Sequence, residues 1–129
     1  MEIIAEIGQN HNGDLKLAKE MIHAAKENGA EVAKFQLFDA KALFPKENNP
    51  WYSHNLNAEL SREDAESLYE HCTKTGIEFM ASAFDEERIE WLEAMGVKRH
   101  KLASRSISEN NLIAALEQSN KTLLVSLGY

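Results

Sequence analysis

Short apolar runs alternate with segments of helical period along the whole chain, and this alternation constrains the fold more than any single residue does. Residues 2–8 (EIIAEIG) form an apolar run ending at Gly8, and residues 15–28 (LKLAKEMIHAAKEN) place Leu15, Ala18, Met21, Ile22 and Ala25 at helical spacing. Asp14 stands where an N-cap is needed and Gly29 where the helix must stop. Residues 31–38 (EVAKFQLF) read as a second strand. Residues 39–60 hold both prolines, Phe44, Trp51, Tyr52 and several asparagines, and read as a long loop. Ser61 with Asp64 opens a helix through Thr75 that Gly76 closes. A third strand at 77–84 (IEFMASAF), a helix at 86–95 capped by Asp85, a fourth strand at 97–104 (VKRHKLAS), a helix at 109–119 and a fifth strand at 121–127 before Gly128 complete the order.

Strands and helices in strict alternation imply right-handed crossovers, hence a parallel sheet covered by helices. An eight-stranded barrel and an open doubly wound sheet are the two candidates. The loop after the first strand, Gly8-Gln-Asn-His-Asn-Gly13, is not GxGxxG, which disfavours a dinucleotide fold. With 129 residues the chain falls well short of the roughly 250 of a complete (β/α)8 barrel.

Charge and cysteine usage narrow the function classes. A net charge of −7 without clustered Lys and Arg argues against a nucleic-acid surface. The apolar runs are too short to cross a bilayer, no basic leader precedes the first strand, and the single cysteine, Cys72, cannot form an internal disulfide. A cytoplasmic protein without nucleic-acid or membrane partners is expected.

Several strands carry charge where an interior should be apolar. Val32, Lys34 and Gln36 share one face of the second strand, while Ala33, Phe35 and Leu37 share the other. A lysine facing a barrel interior is costly unless an anion meets it; the alternative is an edge strand with Lys34 in solvent. Glu6 in the first strand and Lys101 in the fourth repeat the pattern. In parallel α/β folds the loops after the strands gather at one end, where ligands bind. There Glu6, Asn10, His11, Lys34, Gln36, Ser82, Lys101, Ser104 and Arg105 would converge, a set suited to a phosphate and a carboxylate on one small ligand. Asn10 and His11 read equally well as an Asx-type turn. His23, His54, His71 and His100 lack any metal-ligand spacing and read as structural or solvated, and Trp91 reads as core.

The stretch Ile4-Ala-Glu-Ile-Gly-Gln-Asn-His-Asn-Gly13, followed by Ala33-Lys-Phe-Gln36, closely resembles the opening of the sialic acid synthase family. Phe79-Met-Ala-Ser-Ala-Phe-Asp85, His100-Lys-Leu-Ala-Ser104 and Leu124-Val-Ser-Leu-Gly128 resemble its third, fourth and fifth strands, so the resemblance runs from end to end. It implies the first four βα units of a (β/α)8 barrel plus strand five. It also implies an activity: C3 of phosphoenolpyruvate attacks the open-chain aldehyde of an N-acylated hexosamine, water adds at C2, and phosphate leaves to give a nonulosonic acid. By matching positions, Lys34, Gln36, Ser82, Lys101 and Ser104 would hold phosphate and carboxylate. Glu6, with Asn10 and His11, would face the sugar, and Glu6 and Lys101 would be catalytic.

The family also uses a divalent metal, Mn or Mg, whose histidine ligands belong to later strands and have no counterpart in this chain. Where the family carries a glutamate after the fourth strand, this chain reads Ser104-Arg105-Ser106. Two alternatives stand beside the synthase reading. One is a truncated paralogue that binds phosphoenolpyruvate or self-associates through open strand edges without turnover. The other is a 3-deoxy-sugar-acid synthase that also uses phosphoenolpyruvate.

Overall fold

The helices begin and end where the side chains can complete them. In a computed structural model describing residues 1–128, the Asp14 side chain accepts from Leu17 N–H at the start of α1 (Leu15–Glu27). Ser61 and Asp64 form a reciprocal capping box on α4 (Arg62–Thr75), and Asp85 accepts from Arg88 N–H on α5 (Glu86–Met95). Gly76 and Gly96, at φ 78° and 81°, close those two helices in the left-handed conformation. A sixth helix, α6, spans Asn110–Gln118.

The strands β1 (Ile4–Gly8), β2 (Val32–Leu37), β3 (Glu78–Ala83), β4 (Arg99–Leu102) and β5 (Thr122–Val125) form one parallel sheet in the order β1-β2-β3-β4-β5. This order decides between the two candidate architectures. A doubly wound sheet reverses its strand order partway and carries helices on both faces. Strictly sequential order with right-handed crossovers keeps the helices on one face and leaves the other free to become a barrel interior. The chain is therefore a partial (β/α) barrel, its first four βα units followed by β5. Among the described residues the outer edges of β1 and β5 have no strand partner.

The helix-facing side is apolar. Phe35, Leu37, Phe79, Ala81 and Leu102 from the strands pack against Ile22, Leu68, Cys72, Leu92, Leu112 and Leu116 from the helices. Phe35 and Phe79 stack at 5.4 Å between ring centroids. Burying side chains of this size contributes about 1.5–3 kcal/mol each, so this layer holds the helices to the sheet. Trp91 is buried on α5, with the Arg88 guanidinium 4.6 Å above its ring. His100 is buried on the same side and shares the Glu93 carboxylate with Lys121.

The concave face is polar at both ends. At its N-terminal end Arg99 bonds Glu78 at 2.9 Å and Glu2 at 2.5 Å, the second bridge crossing from the residues before β1 to β4. These hydrogen bonds, first from Glu2 and then from Glu78, hold the Arg99 pKa above the usual arginine range.

The segment 39–60 differs from the long loop read in the sequence. Two short helices, α2 (Ala40–Leu43) and α3 (Tyr52–Ala58), lie within it. Asp39 caps α2 by accepting from Lys41 and Ala42 N–H, and Pro45 and Pro50 fall between the helices. With so few residues, neither helix shows a readable period. The α3 helix docks on the loop after β1: Asn57 Nδ2 donates to Asn12 O at 2.8 Å, and a Cβ on Gly13 would lie 1.9 Å from Asn57 O. The remaining difference is a single 3-10 turn at Ser104–Ser106, where the sequence showed only the end of a strand. No helix is long and apolar enough to cross a membrane.

Candidate functional site

Side-chain alternation on a parallel sheet puts one row of polar groups across the concave face. Glu6 pairs in register with Lys34, and Gln36 lies opposite Ser82, which lies opposite Lys101. Glu6 and Lys34 form an ion pair whose lysine side chain is 14% exposed. Lys101 Nζ donates to Leu102 O at 2.6 Å and to Ser126 Oγ at 2.7 Å. Burial, and next the positive charge of Lys34, hold the Lys101 pKa below the usual lysine range, while Glu6 acts in the opposite direction. Lys34 is thus paired with the Glu6 carboxylate, whereas Lys101 has no carboxylate partner among the described residues. An anion placed between them would supply the missing counter-charge.

The loop after β1 enters this site through a bulge. The β1–β2 register shifts between Glu6 and Gly8, and Gly8 takes φ 55°. A Cβ on Gly8 would lie 3.2 Å from Glu6 Oε1 and 3.5 Å from Gln36 Nε2, so glycine lets both side chains approach. Gln9 then turns inward and donates from Nε2 to Gln36 Oε1 at 3.3 Å.

The structure therefore gathers Glu6, Lys34, Gln36, Ser82 and Lys101. Ser104 and Arg105 lie exposed on the 3-10 turn just beyond them, and the Ser104 hydroxyl comes within 2.9 Å of where a Cβ on Gly128 would stand. Asn10 is exposed in the β1–α1 turn, its N–H bonded to Ile7 O. His11 lies apart from the cluster. It is fully buried on the helix side, 6.2 Å from the Phe35 ring, with Nδ1 accepting from Gly13 N–H at 3.0 Å. Burial holds its pKa below the ordinary histidine value. Ser106, where the resemblance places the family's glutamate, is buried, and the turn presents Arg105 to solvent.

Two members of the site were not singled out from the sequence. Ser126 shares the face of Leu124, the β5 residue in register with Lys101, so alternation alone could have found it. Gln9 is inward only because of the bulge, which has no signature in the sequence.

Among the described residues no group of three or more His, Cys, Asp or Glu side chains is placed to hold a metal ion. The residues present do not fit the divalent metal that the resemblance implies. A cleft of about 580 Å³, lined by Glu31, Tyr69, Thr73, Glu78, Phe79 and Lys98, opens at the opposite, N-terminal ends of the strands. In parallel barrels that end serves stability, and ligands are met at the C-terminal ends of the strands, the end toward which Lys34 and Lys101 lie.

The N,N'-diacetyllegionaminic acid synthase of Legionella pneumophila is 42% identical across 98% of the chain, which spans 39% of that protein. Human N-acetylneuraminate-9-phosphate synthase is 33% identical across 98% of the chain, which spans 38% of it. The structure of N-acetylneuraminic acid synthetase from Leptospira borgpetersenii, with citrate, superposes at a TM-score of 0.92 and 35% identity, matching 98% of this chain and 44% of that one. The chain thus spans about two fifths of the length of these relatives. A profile of the NeuB family matches residues 21–129, and with the strand order and polar row described above it shows that the chain belongs to the NeuB family.

Proposed function

We propose that the chain supplies the phosphoenolpyruvate-binding part of a synthase that joins phosphoenolpyruvate to an N-acylated amino sugar, giving a nonulosonic acid. The observation that carries this reading is the row Gln36–Ser82–Lys101–Ser126 with Lys34 beside it. It offers two ammonium groups, hydroxyls and an amide to a ligand with two anionic ends.

In the reaction, C3 of phosphoenolpyruvate forms a bond to the sugar aldehyde carbon. Water adds at C2, and the tetrahedral intermediate loses phosphate by C–O cleavage. Lys34 and Lys101 neutralise the phosphate and carboxylate and hold the enol ester so that C3 faces the acceptor. Ser82, Ser104 and Ser126 fix its rotation by hydrogen bonding. Glu6, tied to Lys34, stands at the sugar side of the cluster, where its carboxylate can accept a sugar hydroxyl. Positioning and charge neutralisation supply most of the rate enhancement assigned to these residues.

Calorimetric titration of phosphoenolpyruvate into the chain and into Lys101→Ala tests the reading. Binding weakened at least about 30-fold by the substitution, a loss of about 2 kcal/mol as expected for a charged hydrogen bond, supports it. Equal binding by both overturns it. Phosphate release with an acylated mannosamine-type sugar, measured on the same preparation, separates turnover from binding alone.

A further inference from the structure

The two ends of a glutamine amide offer opposite chemistry: the carbonyl oxygen accepts and the NH2 donates twice. Which end faces a site therefore decides whether the residue attracts an anion or repels it. Gln36 is half-buried in the polar row, two residues beyond Lys34 on the same face and in register with Ser82. Its amide is oriented from two sides. Gln36 Oε1 accepts from Gln9 Nε2 at 3.3 Å. Gln36 Nε2 lies 3.5 Å from the point where a Cβ on Gly8 would stand, and Glu6 Oε1 lies 3.2 Å from the same point. The NH2 end and the carboxylate thus border one gap, which Gly8 leaves open. Glu6 is ion-paired with Lys34, and an ionised carboxylate only accepts. The NH2 end is its favourable neighbour, whereas a reversed amide would set carbonyl against carboxylate.

The backbone brings Gln9 to this position. Alternation from Glu6 would turn Gln9 toward the helices, but the register shift between Glu6 and Gly8, with Gly8 at φ 55°, brings it inward. Two turn bonds fix the chain around it, from Asn10 N–H to Ile7 O and from Asn12 N–H to Gln9 O, each 3.0 Å. Neither Gln9 nor Gln36 has another side-chain hydrogen bond among the described residues, so the contact between them is what holds the carbonyl end of Gln36. The donor order consequently runs one way, from Gln9 to Gln36 and from Gln36 toward Glu6.

We propose that Gln9 is a positioning residue for phosphoenolpyruvate: it holds Gln36 by the carbonyl, so that the NH2 end is presented to the anion pocket. One N–H of that amide faces the gap beside Glu6, and the second is left for an oxygen of the ligand. The proposal rests on the synthase reading for the identity of the ligand. Gln9 acts only through Gln36. Without it the amide rotates, and its lone pairs then oppose an anion in the row.

A double-mutant cycle tests this by calorimetric titration of phosphoenolpyruvate. Gln9→Met, which keeps the length of the side chain without its donor, should weaken binding about three- to tenfold, the scale of one hydrogen bond. Gln36→Met should weaken it at least as much. Adding Gln9→Met to Gln36→Met should then change nothing further, because no amide is left to hold. A merely structural role, by loosening the loop, would cost the same in both backgrounds, and that result overturns the proposal. So does unchanged binding by Gln9→Met alone. The orientation is read without ligand from the nuclear Overhauser effect between the Gln36 side-chain NH2 and the Gly8 α-protons. It should be present in the parent chain and weakened in Gln9→Met; its absence from the parent overturns the proposal. A chain that binds phosphoenolpyruvate but shows additive losses overturns this inference alone. A chain that does not bind it, yet loses the Overhauser contact in Gln9→Met, overturns the synthase reading and upholds the grip of Gln9 on Gln36.

Discussion

Lys101 Nζ and Ser126 Oγ lie 2.7 Å apart, joining β4 to β5 at the level where Gln36 and Ser82 line up across the sheet. This hydroxyl turns a flexible ammonium into a fixed donor. Ser126→Ala should therefore weaken phosphoenolpyruvate binding by about 5- to 30-fold, or roughly 1–2 kcal/mol, without lowering the melting temperature. Calorimetry reads the loss, and an unchanged dissociation constant would remove Ser126 from the site.

The depressed pKa of Lys101 gives the site an alkaline limit. Burial and the charge of Lys34 both disfavour the ammonium, so it loses its proton below the ordinary lysine value of 10.5. Anion binding needs the protonated form. Affinity should fall as pH rises through that lowered value, before ordinary lysines titrate. A Kd measured from pH 7 to 10.5 should show the fall, and Lys101→Arg, which stays charged, should remove it. A flat profile in the parent chain would exclude Lys101 as an anion ligand.

Histidine burial sets an acid limit on the fold. His11 is held below the unfolded value of 6.5, first by burial. Between those two values the unfolded chain binds the proton and the folded chain does not. Stability should therefore decline as pH drops through about 6.5 and level off below the folded value. His71, also depressed chiefly by burial, adds to the same slope. His11→Asn, which keeps an acceptor near Gly13 N–H, should flatten the dependence of melting temperature on pH between 7 and 5. An identical slope in the variant would show that His11 does not contribute.

Gly13 combines φ 77° with a Cβ position only 1.9 Å from Asn57 O. Gly13→Ala should cost at least about 2 kcal/mol, since the left-handed conformation alone costs an L-residue about 1–2 kcal/mol. The loss should centre on the contact between the β1–α1 loop and α3, and hydrogen exchange there should rise first. Chemical denaturation within 0.5 kcal/mol of the parent, about the spread of neutral surface substitutions, would show that the loop simply moves aside.

Arg99 shares its guanidinium between Glu2 and Glu78. Arg99→Ala strands Glu78, whose side chain is 13% exposed. The expected destabilisation is about 2–3 kcal/mol, below the range for fully buried pairs because solvent reaches this end. Glu2→Gln should have a much smaller effect, because Glu2 is exposed. Equal losses in the two variants, by urea denaturation, would contradict this assignment.

The elements legible in the sequence are those whose period or caps are strong. The 15–28 stripe, the Ser61–Asp64 box and the run 31–38 all appear in the structure within a few residues of their expected bounds. Alternation put Lys34 and Gln36 on one face of the second strand, and position at the strand ends, with the family resemblance, added Ser82 and Lys101, which lie in register with Gln36 across the sheet. Other features were not local. Helices α2 and α3 are too short to show a period, and α3 is held in place by Asn57 reaching Asn12, a residue far away in the chain. His11 was expected at the ligand site, but the bulge after Glu6 breaks the alternation of the first strand and the residue turns to lie buried beside Phe35. Arg105 was recognised as a cation near the mouth, but its rest on Phe44 depends on two loops meeting in space.

The bridge from Glu2 through Arg99 to Glu78 lies at the opposite end of the strands from Lys101 and Arg105. The same strands are therefore stitched at one end and carry the proposed ligand site at the other. Substitutions in the upper turns can accumulate without loosening the lower seam, which gives this scaffold room to drift toward new acceptors while its architecture stays intact.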